Sequence, residues 1–446
     1  LMKNLISFIF CVILSITFLP IACQTITEQP SKPNVILIMA DDIGYECLSI
    51  NGSTSYKTPV LDSLANKGIN FTKAISQPLC TPSRVKIMTG KFNFKNYEYF
   101  TYLNPKEKSF GNLFKENGYK TAIVGKWQLN GIAHKLKGFN DNTRPNHFGF
   151  DEYSLWQLTK LKSYGERFAN PYIEQNGKAL PRDQNAYGPD IVSNYAIDFI
   201  KRNKDQPFFI YYPMLLVHSP FVPTPDSPEW ESLETRSKQE DRFYIDMVAY
   251  MDKIIGRIVN ELKTQGIADN TLLYFIGDNG TKTTLVSLTE NGPIRGGKGN
   301  TITHGNHVPM VASWPGKIKK PYTYSGLINF TDFYATFCDI LGVANESDGL
   351  SMIDLLYGEK LLERKTVTTY YDPMWSANVT QFRNVFSQNS RYKLYKDGKF
   401  YDMENDILEK SPLSDKELSE DQKIIKAKLA DELARFPSLP ETSFVR

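Results

Sequence analysis

Continuous apolar runs recur along the chain, and most of them end in a polar turn. The clearest are residues 34–40 (NVILIMA), 121–125 (TAIVG), 208–215 (FFIYYPML), 271–277 (TLLYFIG) and 308–315 (VPMVASWP). Runs of this kind are typical of strands that are buried on both faces of a largely parallel sheet. These segments therefore predict the strands of a buried central sheet.

Segments with a helical spacing of apolar residues lie between these runs. Residues 58–68 carry Pro59 where a first helical turn would begin and Gly68 just past its end. Residues 241–266 form the longest such segment, with apolar residues three and four positions apart. Strands that alternate with helices predict an α/β fold, a large, mostly parallel sheet between two layers of helices.

The pattern changes after about residue 343. Residues 392–413 show short alternating strands around the turn KDGK, and residues 419–436 have the spacing of an amphipathic helix. We therefore predict an α/β domain over residues 34–344. A smaller C-terminal α+β lobe with a short antiparallel sheet is predicted over residues 345–446.

The N-terminal residues have the pattern of an export signal. Lys3 precedes an uncharged apolar segment at residues 5–19, and the small residues Ala22 and Cys23 follow. This order is typical of a secretory signal peptide, and the segment is shorter than the roughly 20 apolar residues of a membrane-spanning helix. We expect a signal at residues 1–23 and a polar linker at 24–33. A lipidated Cys23, as in bacterial lipoproteins, is an alternative that the sequence leaves open.

The net charge limits the partners that we expect, and the number of cysteines limits the possible disulfides. A net charge of +3 over 446 residues predicts no nucleic-acid partner. We expect membrane contact only through the signal or a lipid at Cys23, and a location in the bacterial periplasm, at the cell surface or outside the cell. Three of the five cysteines lie beyond residue 23, so at least one of them lies outside any internal disulfide. Cys80 is our candidate.

Two predicted strands end in acidic residues. Asp41 and Asp42 follow the first strand, and Asp278 and Asn279 follow the strand at residues 271–277. Functional groups of open α/β sheets collect at the carboxyl ends of the strands. Carboxylate and amide oxygens favour a hard cation such as Ca²⁺ or Mg²⁺ over zinc. Either motif alone also fits a simple turn, but together they predict a divalent-cation site.

The segment CTPSR, residues 80–84, places a cysteine at the start of a predicted helix. Pro82 fits the first helical turn, so Cys80 lies where free N–H groups and the helix dipole favour negative charge. Arg84 follows about one turn later. The segment suits an anionic group, although a buried structural cysteine is the alternative interpretation.

CTPSR resembles the signature of the type I sulfatases, the formylglycine-dependent branch of the alkaline phosphatase superfamily. Further blocks similar to this family occur in the family's order, at residues 36–45, 56–74, 82–91, 118–127, 277–280 and 296–310. Residues 392–410 resemble its small C-terminal lobe. The resemblance implies an alkaline phosphatase-like fold. It also implies a sulfuric ester hydrolase whose signature cysteine is oxidised by a separate maturase to formylglycine (3-oxoalanine).

The resemblance also implies a role for each motif residue. The implied metal ligands, usually of Ca²⁺ with Mg²⁺ as an alternative, are Asp41, Asp42, Asp278, Asn279 and the modified Cys80. Arg84 matches the arginine that contacts the formylglycine hydrate. Lys126 and Lys298 match lysines that bind sulfate oxygens. His218 matches a histidine that donates a proton near the leaving oxygen.

The chain departs from the family pattern at several positions. Gln128 stands where a histidine usually follows GKW, and glutamine cannot carry a proton charge. Thr303, His304 and His307 replace the usual Glu, Gly and Arg. We expect Gln128, His304 and His307 to shape the substrate pocket. Other candidate pocket residues are His134, Arg144, His147 and Tyr187.

These residue types suit the hydrolysis of a sulfate ester. Breaking the S–O bond builds up negative charge, which a divalent cation and nearby cationic side chains stabilise. We expect a sulfated carbohydrate as substrate, in the degradation of sulfated polysaccharide. One alternative is a phosphodiester or phosphonate monoester hydrolase of the same superfamily. Another is a sulfatase-like protein that binds sulfated glycans and never matures its cysteine.

Overall fold

The computed structural model describes residues 32–160 and 166–441. In chain order, the strands within these ranges are β1 (Asn34–Ala40), β2 (Ile69–Ile75), β3 (Lys120–Lys126), β4 (Glu152–Trp156), β5 (Glu174–Gln175), β6 (Lys178–Ala179), β7 (Phe208–Pro213), β8 (Thr271–Gly277), β9 (Val286–Thr289), β10 (Gly292–Arg295), β11 (His307–Ser313), β12 (Tyr322–Tyr324), β13 (Ile328–Asn329), β14 (Val367–Tyr371), β15 (Asn384–Gln388), β16 (Tyr392–Tyr395) and β17 (Phe400–Asp402).

The α-helices of the same ranges are α1 (Pro59–Lys67), α2 (Cys80–Thr89), α3 (Asn93–Asn96), α4 (Phe110–Glu116), α5 (Arg144–His147), α6 (Gly188–Asn203), α7 (Phe243–Thr264), α8 (Thr303–Asn306), α9 (Thr331–Leu341), α10 (Ile353–Tyr357), α11 (Ala377–Thr380) and α12 (Glu420–Ala434). The long predicted segment at residues 241–266 thus contains α7.

Eleven of the described strands form one mixed sheet. Its order is β12-β2-β11-β8-β1-β7-β3-β4-β5-β6, and β13 pairs with β2. The centre is parallel, because β1 pairs in parallel with β7 and β8, and β3 pairs in parallel with β7 and β4. Strand β11 runs antiparallel between β2 and β8. The predicted α/β fold class with a mostly parallel central sheet is confirmed.

Helices cover both faces of this sheet, so the central strands contribute to two hydrophobic cores. Residues 36, 38 and 40 of β1 belong to the core beneath α1, α6 and α7. Residues 35, 37 and 39 belong to the core beneath α2, α4 and α9. This division follows from the two-residue period of a strand, and it explains why all seven residues of β1 are apolar or buried.

The C-terminal part carries a separate antiparallel sheet, β14-β15-β16-β17, as predicted. Helix α12 packs on β15 and β16, and its start at Ser419 is stabilised by a capping box with Gln422. Residues 32–160 and 166–441 belong to one compact unit. A boundary near residue 344 stays a prediction, and the predicted signal and most of the linker lie outside the described residues.

None of the helices in the described ranges is both long and apolar enough to cross a membrane.

Candidate functional site

The ends of β1 and β8 bring two acidic pairs together. Ala40 is in register with Gly277, so the next residues of both strands emerge side by side. The Asp42 backbone N–H donates to Asp278 Oδ1 over 3.0 Å, and Asn279 Nδ2 donates to Asp42 Oδ1 over 2.9 Å. These residues and Asp41 are all buried. The parallel pairing of the two strands therefore builds a compact carboxylate cluster.

Helix α2 points its first residue at this cluster. Cys80, the first residue of α2, follows extended Leu79 and is 2% exposed. Ligand atoms of Cys80, Asp41 and Asp278 lie within 4.8 Å of one another. Burial raises the pKa of the Cys80 thiol, so the unmodified side chain is neutral at physiological pH.

Arg84 attaches the helix to the strand ends. Its Nη2 donates to Asp278 Oδ2 over 3.2 Å, and its Nη1 donates to the carbonyl oxygen of Lys126 over 2.9 Å. The Ser83 hydroxyl donates to the carbonyl oxygen of Asp278 over 2.6 Å. These bonds tie α2 to both β3 and β8, which fixes position 80 relative to the carboxylates.

Two lysines and a histidine line the same cluster. Lys126, the last residue of β3, places Nζ 2.8 Å from Asp41 Oδ2. Lys298 Nζ donates to Asp42 Oδ2 over 2.5 Å. His218 Nε2 lies 3.6 Å from Asp42 Oδ2, and its Nδ1 faces the carbonyl oxygen of Ser219. The structure thus brings these predicted residues to one place.

The charges at this site shift the pKa values of its acids in opposite directions. Burial alone would raise the pKa of Asp41, but Lys126 and other cations hold it well below its usual value. Burial and the neighbouring Asp41 raise the pKa of Asp278 to about 7. Burial lowers the pKa of His218 to about 3, against the opposing effect of Asp42. Three acids this close favour an added positive charge.

The donor set fits a hard divalent cation. Asp41, Asp42 and Asp278 supply carboxylate oxygens within a buried cluster. The Asn279 Oδ1 atom is buried and has no hydrogen-bond partner among the described residues. An unpartnered amide oxygen beside three carboxylates is the oxygen-rich environment that Ca²⁺ or Mg²⁺ prefers. The residues present therefore fit the metal that the sequence predicts.

The predicted pocket residues have different surroundings. Gln128 Oε1 accepts a hydrogen bond from Cys80 Sγ at 3.6 Å, so this residue belongs to the cluster. His304 Nδ1 lies 3.1 Å from the carbonyl oxygen of Arg295. His307 Nε2 lies 2.7 Å from the carbonyl oxygen of Thr72, and its ring stacks on Tyr45. The described contacts of both histidines are therefore with other parts of the molecule.

The remaining candidates also contact residues outside the cluster. Arg144 donates to the carbonyl oxygen of Leu103, and His147 Nε2 lies beside that of Pro105. The rings of Tyr187 and Trp230 pack edge to face, and the His134 ring lies near Tyr99. A role for these four residues in substrate binding stays a prediction.

Arg167 is a site residue that the sequence analysis did not identify. It is 1% exposed, and its Nη1 lies 3.9 Å from Asp41 Oδ2. Its guanidinium carbon lies 4.0 Å from the centre of the Trp156 ring. Arg167 follows no apolar strand and belongs to none of the recognised blocks, so only the folded arrangement of β3 and β4 reveals it.

Two family models match the chain. The model described as Sulfatase matches residues 33–343. The model described as N-sulphoglucosamine sulphohydrolase, C-terminal, matches residues 302–437. Together they span nearly all of the described residues.

Relatives and solved structures agree with these matches. The chain is 30% identical to N-acetylgalactosamine-6-sulfatase of Homo sapiens, over 80% of this chain and 72% of that protein. It is 29% identical to N-acetylgalactosamine-6-O-sulfatase of Bacteroides thetaiotaomicron, over 70% of this chain and 73% of that protein. The structure of Ps i-CgsB in complex with k-i-k-neocarrahexaose superposes with a TM-score of 0.72 and 26% identity, covering 91% of this chain and 92% of the other.

Proposed function

Because the chain belongs to the sulfatase family and is a sulfatase, we propose that it removes sulfate from a sulfated carbohydrate by means of a formylglycine at position 80. One observation carries this proposal. Cys80 begins α2 with its sulfur among the oxygens of Asp41 and Asp278, where Arg84 and Lys126 add positive charge. A cysteine that serves only to fill space has no need of these charged neighbours.

The names of similar proteins support a carbohydrate substrate. Two of the relatives are sulfatases of N-acetylgalactosamine 6-sulfate by name, and a similar structure holds a carrageenan-derived oligosaccharide. A 6-O-sulfated galactose-type sugar is therefore our first substrate candidate. We also propose that the protein is exported through its N-terminal signal, since polymeric sulfated glycans lie outside the cell.

Two groups that the family implies would complete the site. A divalent cation, which Asp41, Asp42, Asp278 and Asn279 would hold, supplies positive charge that stabilises the sulfate oxygens as the S–O bond breaks. Formylglycine, which a maturase would form from Cys80, supplies a hydrated aldehyde with a nucleophilic hydroxyl.

The chain's own residues then bind and orient the ester. Lys126 and Lys298 lie on either side of the carboxylate cluster and bind sulfate oxygens. Arg84 orients position 80 because it is fixed between Asp278 and the Lys126 carbonyl. Both lysines can move from a carboxylate to an incoming anion, since a flexible four-carbon chain carries each ammonium group.

In this proposal, His218 donates a proton to the leaving oxygen. The carbonyl oxygen of Ser219 only accepts hydrogen bonds, so Nδ1 carries a hydrogen and Nε2 faces the cluster. With the pKa lowered to about 3 by burial, Nε2 is unprotonated in the anion-free site at neutral pH. A bound sulfate ester brings a negative charge that favours protonation at Nε2, which readies the imidazolium as general acid.

The test compares chains produced with and without a formylglycine-generating maturase. Mass spectrometry of the peptide that contains Cys80 would quantify the modification. A panel of N-acetylgalactosamine 6-sulfate, galactose 6-sulfate, carrageenan oligosaccharides, a phosphodiester and a phosphonate monoester would then be assayed. We expect sulfate release from saccharides only by the modified chain. Faster turnover of a phosphorus ester, or saccharide binding without turnover by the modified chain, would contradict the proposal.

A further inference from the structure

We propose that Arg167 is an additional sulfate-binding residue, which supplies a cation that the recognised sulfatase motifs do not contain. The inference rests on the proposed function, because it assigns a role within the same site. It follows from three observations, which concern the surroundings of Arg167, the strand that supports it and the charge at position 128.

Arg167 brings a buried positive charge to the carboxylate cluster. Its Nη1 lies 3.9 Å from Asp41 Oδ2, the same oxygen that lies 2.8 Å from Lys126 Nζ. Burying a guanidinium at 1% exposure is costly unless its charge is used or compensated. The distance to Asp41 is that of a long ion pair and exceeds hydrogen-bond range. Asp41 thus has three cations within 4 Å, Lys126, Arg84 and Arg167, of which Lys126 makes the closest contact.

The side chain of Trp156 supports the guanidinium group. Trp156 is the last residue of β4 and is in register with Lys126 at the end of β3. The guanidinium carbon lies 4.0 Å from the centre of its ring, a favourable cation–π distance. Because Trp156 is itself buried, this contact fixes the guanidinium at the carboxyl edge of the sheet. The edge of the sheet that carries Lys126 therefore also carries the guanidinium of Arg167, which Trp156 holds in a fixed orientation.

The charge balance indicates an anion as the ligand of Arg167. A divalent cation would offset two of the three negative charges of Asp41, Asp42 and Asp278. The cationic side chains around them, which include Lys126 and Arg167, would then need further negative charge to balance them. An anionic sulfate ester supplies that charge.

The neutral side chain at position 128 explains why the site needs the additional cation of Arg167. Where the family usually has a histidine, this chain has a neutral amide that accepts a hydrogen bond from Cys80. A glutamine offers amide N–H donors but contributes no net charge. Arg167, with its fork of N–H donors, supplies the missing positive charge from the chain segment between β4 and β5.

The experiment measures binding of inorganic sulfate and of Ca²⁺ by isothermal titration calorimetry. The modified, full-length chain is compared with Arg167→Met, which keeps apolar contact with Trp156, and Arg167→Lys, which keeps the charge. The control is Arg182→Met, because Arg182 is an arginine of the nearby segment between β6 and α6 and pairs with Glu166 near the surface. Folding of each variant is checked by circular dichroism, and Arg167→Gln replaces the Met variant if that one does not fold.

We expect Arg167→Met to weaken sulfate binding about ten- to a hundredfold, the usual effect of losing a charged hydrogen-bond partner. Arg167→Lys should recover part of this loss, and Arg182→Met should bind sulfate like the unchanged protein. The affinity for Ca²⁺ should stay equal or rise in Arg167→Met, because a nearby positive charge opposes cation binding.

Other results would overturn the inference. Unchanged sulfate affinity in Arg167→Met would exclude direct binding by Arg167. Weaker Ca²⁺ binding in that variant would show that Arg167 positions Asp41 for the metal. A modified wild-type chain that binds Ca²⁺ but no sulfate would contradict the proposed function itself, a failure distinguishable from the other two.

Discussion

At the scale of single residues, Cys80 has two kinds of neighbour. Its sulfur lies near oxygens of Asp41 and Asp278, and Cys80 and the preceding Leu79 also belong to a hydrophobic cluster with Phe100 and Tyr371. The apolar neighbours fix the position of Cys80, and the charged neighbours surround the side-chain atom that takes part in the proposed reaction. A small substitution at position 80 should therefore remove the chemistry and retain the packing.

We expect Cys80→Ala to abolish sulfate release and to leave the fold intact. The alanine cannot be converted to an aldehyde, but it removes only one sulfur atom from the interior. Sulfate release and circular dichroism would be measured on the same sample. Cys338→Ala is the matched control, since Cys338 is also buried but lies on helix α9 and outside the carboxylate cluster. Full activity in Cys80→Ala would refute the mechanism.

Lys126 allows a similar test of the anion-binding role. We expect Lys126→Gln to lower kcat/KM about a hundredfold or more, the usual effect of removing one charge-stabilising donor from an active site. Lys120→Gln is the control, because Lys120 begins the same strand β3 but is exposed at its other end. Comparable losses in both variants would indicate damage to β3 rather than to the sulfate site.

At the scale of elements, α2 is unusual because all ten of its residues are buried. The helix begins at the catalytic cluster with Cys80 and carries Lys86 towards its other end. The Lys86 Nζ has no hydrogen-bond partner among the described residues. Burial lowers the pKa of Lys86 to about 7. The helix that presents the nucleophile therefore contains a destabilising charge.

This charge makes the stability of the fold depend on pH. The unfolded chain binds the Lys86 proton up to its ordinary pKa of roughly 10.4, whereas the folded chain loses it near pH 7, so the Lys86 contribution to stability improves as pH rises between these values. We expect Lys86→Met to be more stable than the wild type by on the order of a few kcal/mol at pH 6. This advantage should shrink towards pH 9.5.

Chemical denaturation between pH 6 and 9.5 would measure this difference. Lys91→Met is the control, because Lys91 follows the same helix but is partly exposed beside Glu107. Its stability relative to the wild type should change little with pH. An advantage of Lys86→Met that stays constant across the range would contradict the assigned cause.

Long elements were predictable from the sequence, whereas short ones were not. The run at residues 34–40 predicted the bounds of β1, because a strand buried on both faces is almost continuously apolar. The two-residue strands β5 and β6 carry polar, partly exposed residues and leave no such pattern. Their place in the sheet comes from the antiparallel pairing of β5 with β4 and of β6 with β5, which no local pattern predicts.

The same distinction applies to the candidate site. Asp41, Asp42, Asp278 and Asn279 follow apolar strands directly, so their sequence neighbours reveal them. Arg167 is defined by its contact with Trp156 and its distance to Asp41, which exist only after β3 and β4 have paired. No local signal in the sequence predicts such a contact.

At the scale of the whole molecule, the acidic cluster joins the ends of strands β1 and β8 to the start of helix α2. Because Asp41, Asp42 and Asp278 repel one another, a bound divalent cation should stabilise the entire fold. We expect a chelator to lower Tm by a few degrees and Ca²⁺ to restore it, since saturation at a hundred times Kd contributes about 2.7 kcal/mol. Differential scanning calorimetry would measure the shift.

Asp278→Asn is the matched variant for this test. It removes one carboxylate and much of the repulsion, so its Tm should respond less to the chelator than the wild type does. An unchanged wild-type Tm under chelation, with Ca²⁺ added back as a check, would contradict a metal role for the cluster.

The three cysteines that follow the predicted linker bear on whether the protein can fold in a reducing environment. Cys47, Cys80 and Cys338 are all buried and free in the described residues, so no covalent crosslink among them contributes to the fold. The stability of the fold therefore does not depend on a disulfide among these residues, which makes it insensitive to glutathione or other thiol reductants. A version without residues 1–31 should accordingly accumulate in folded form in the reducing cytosol of an expression host.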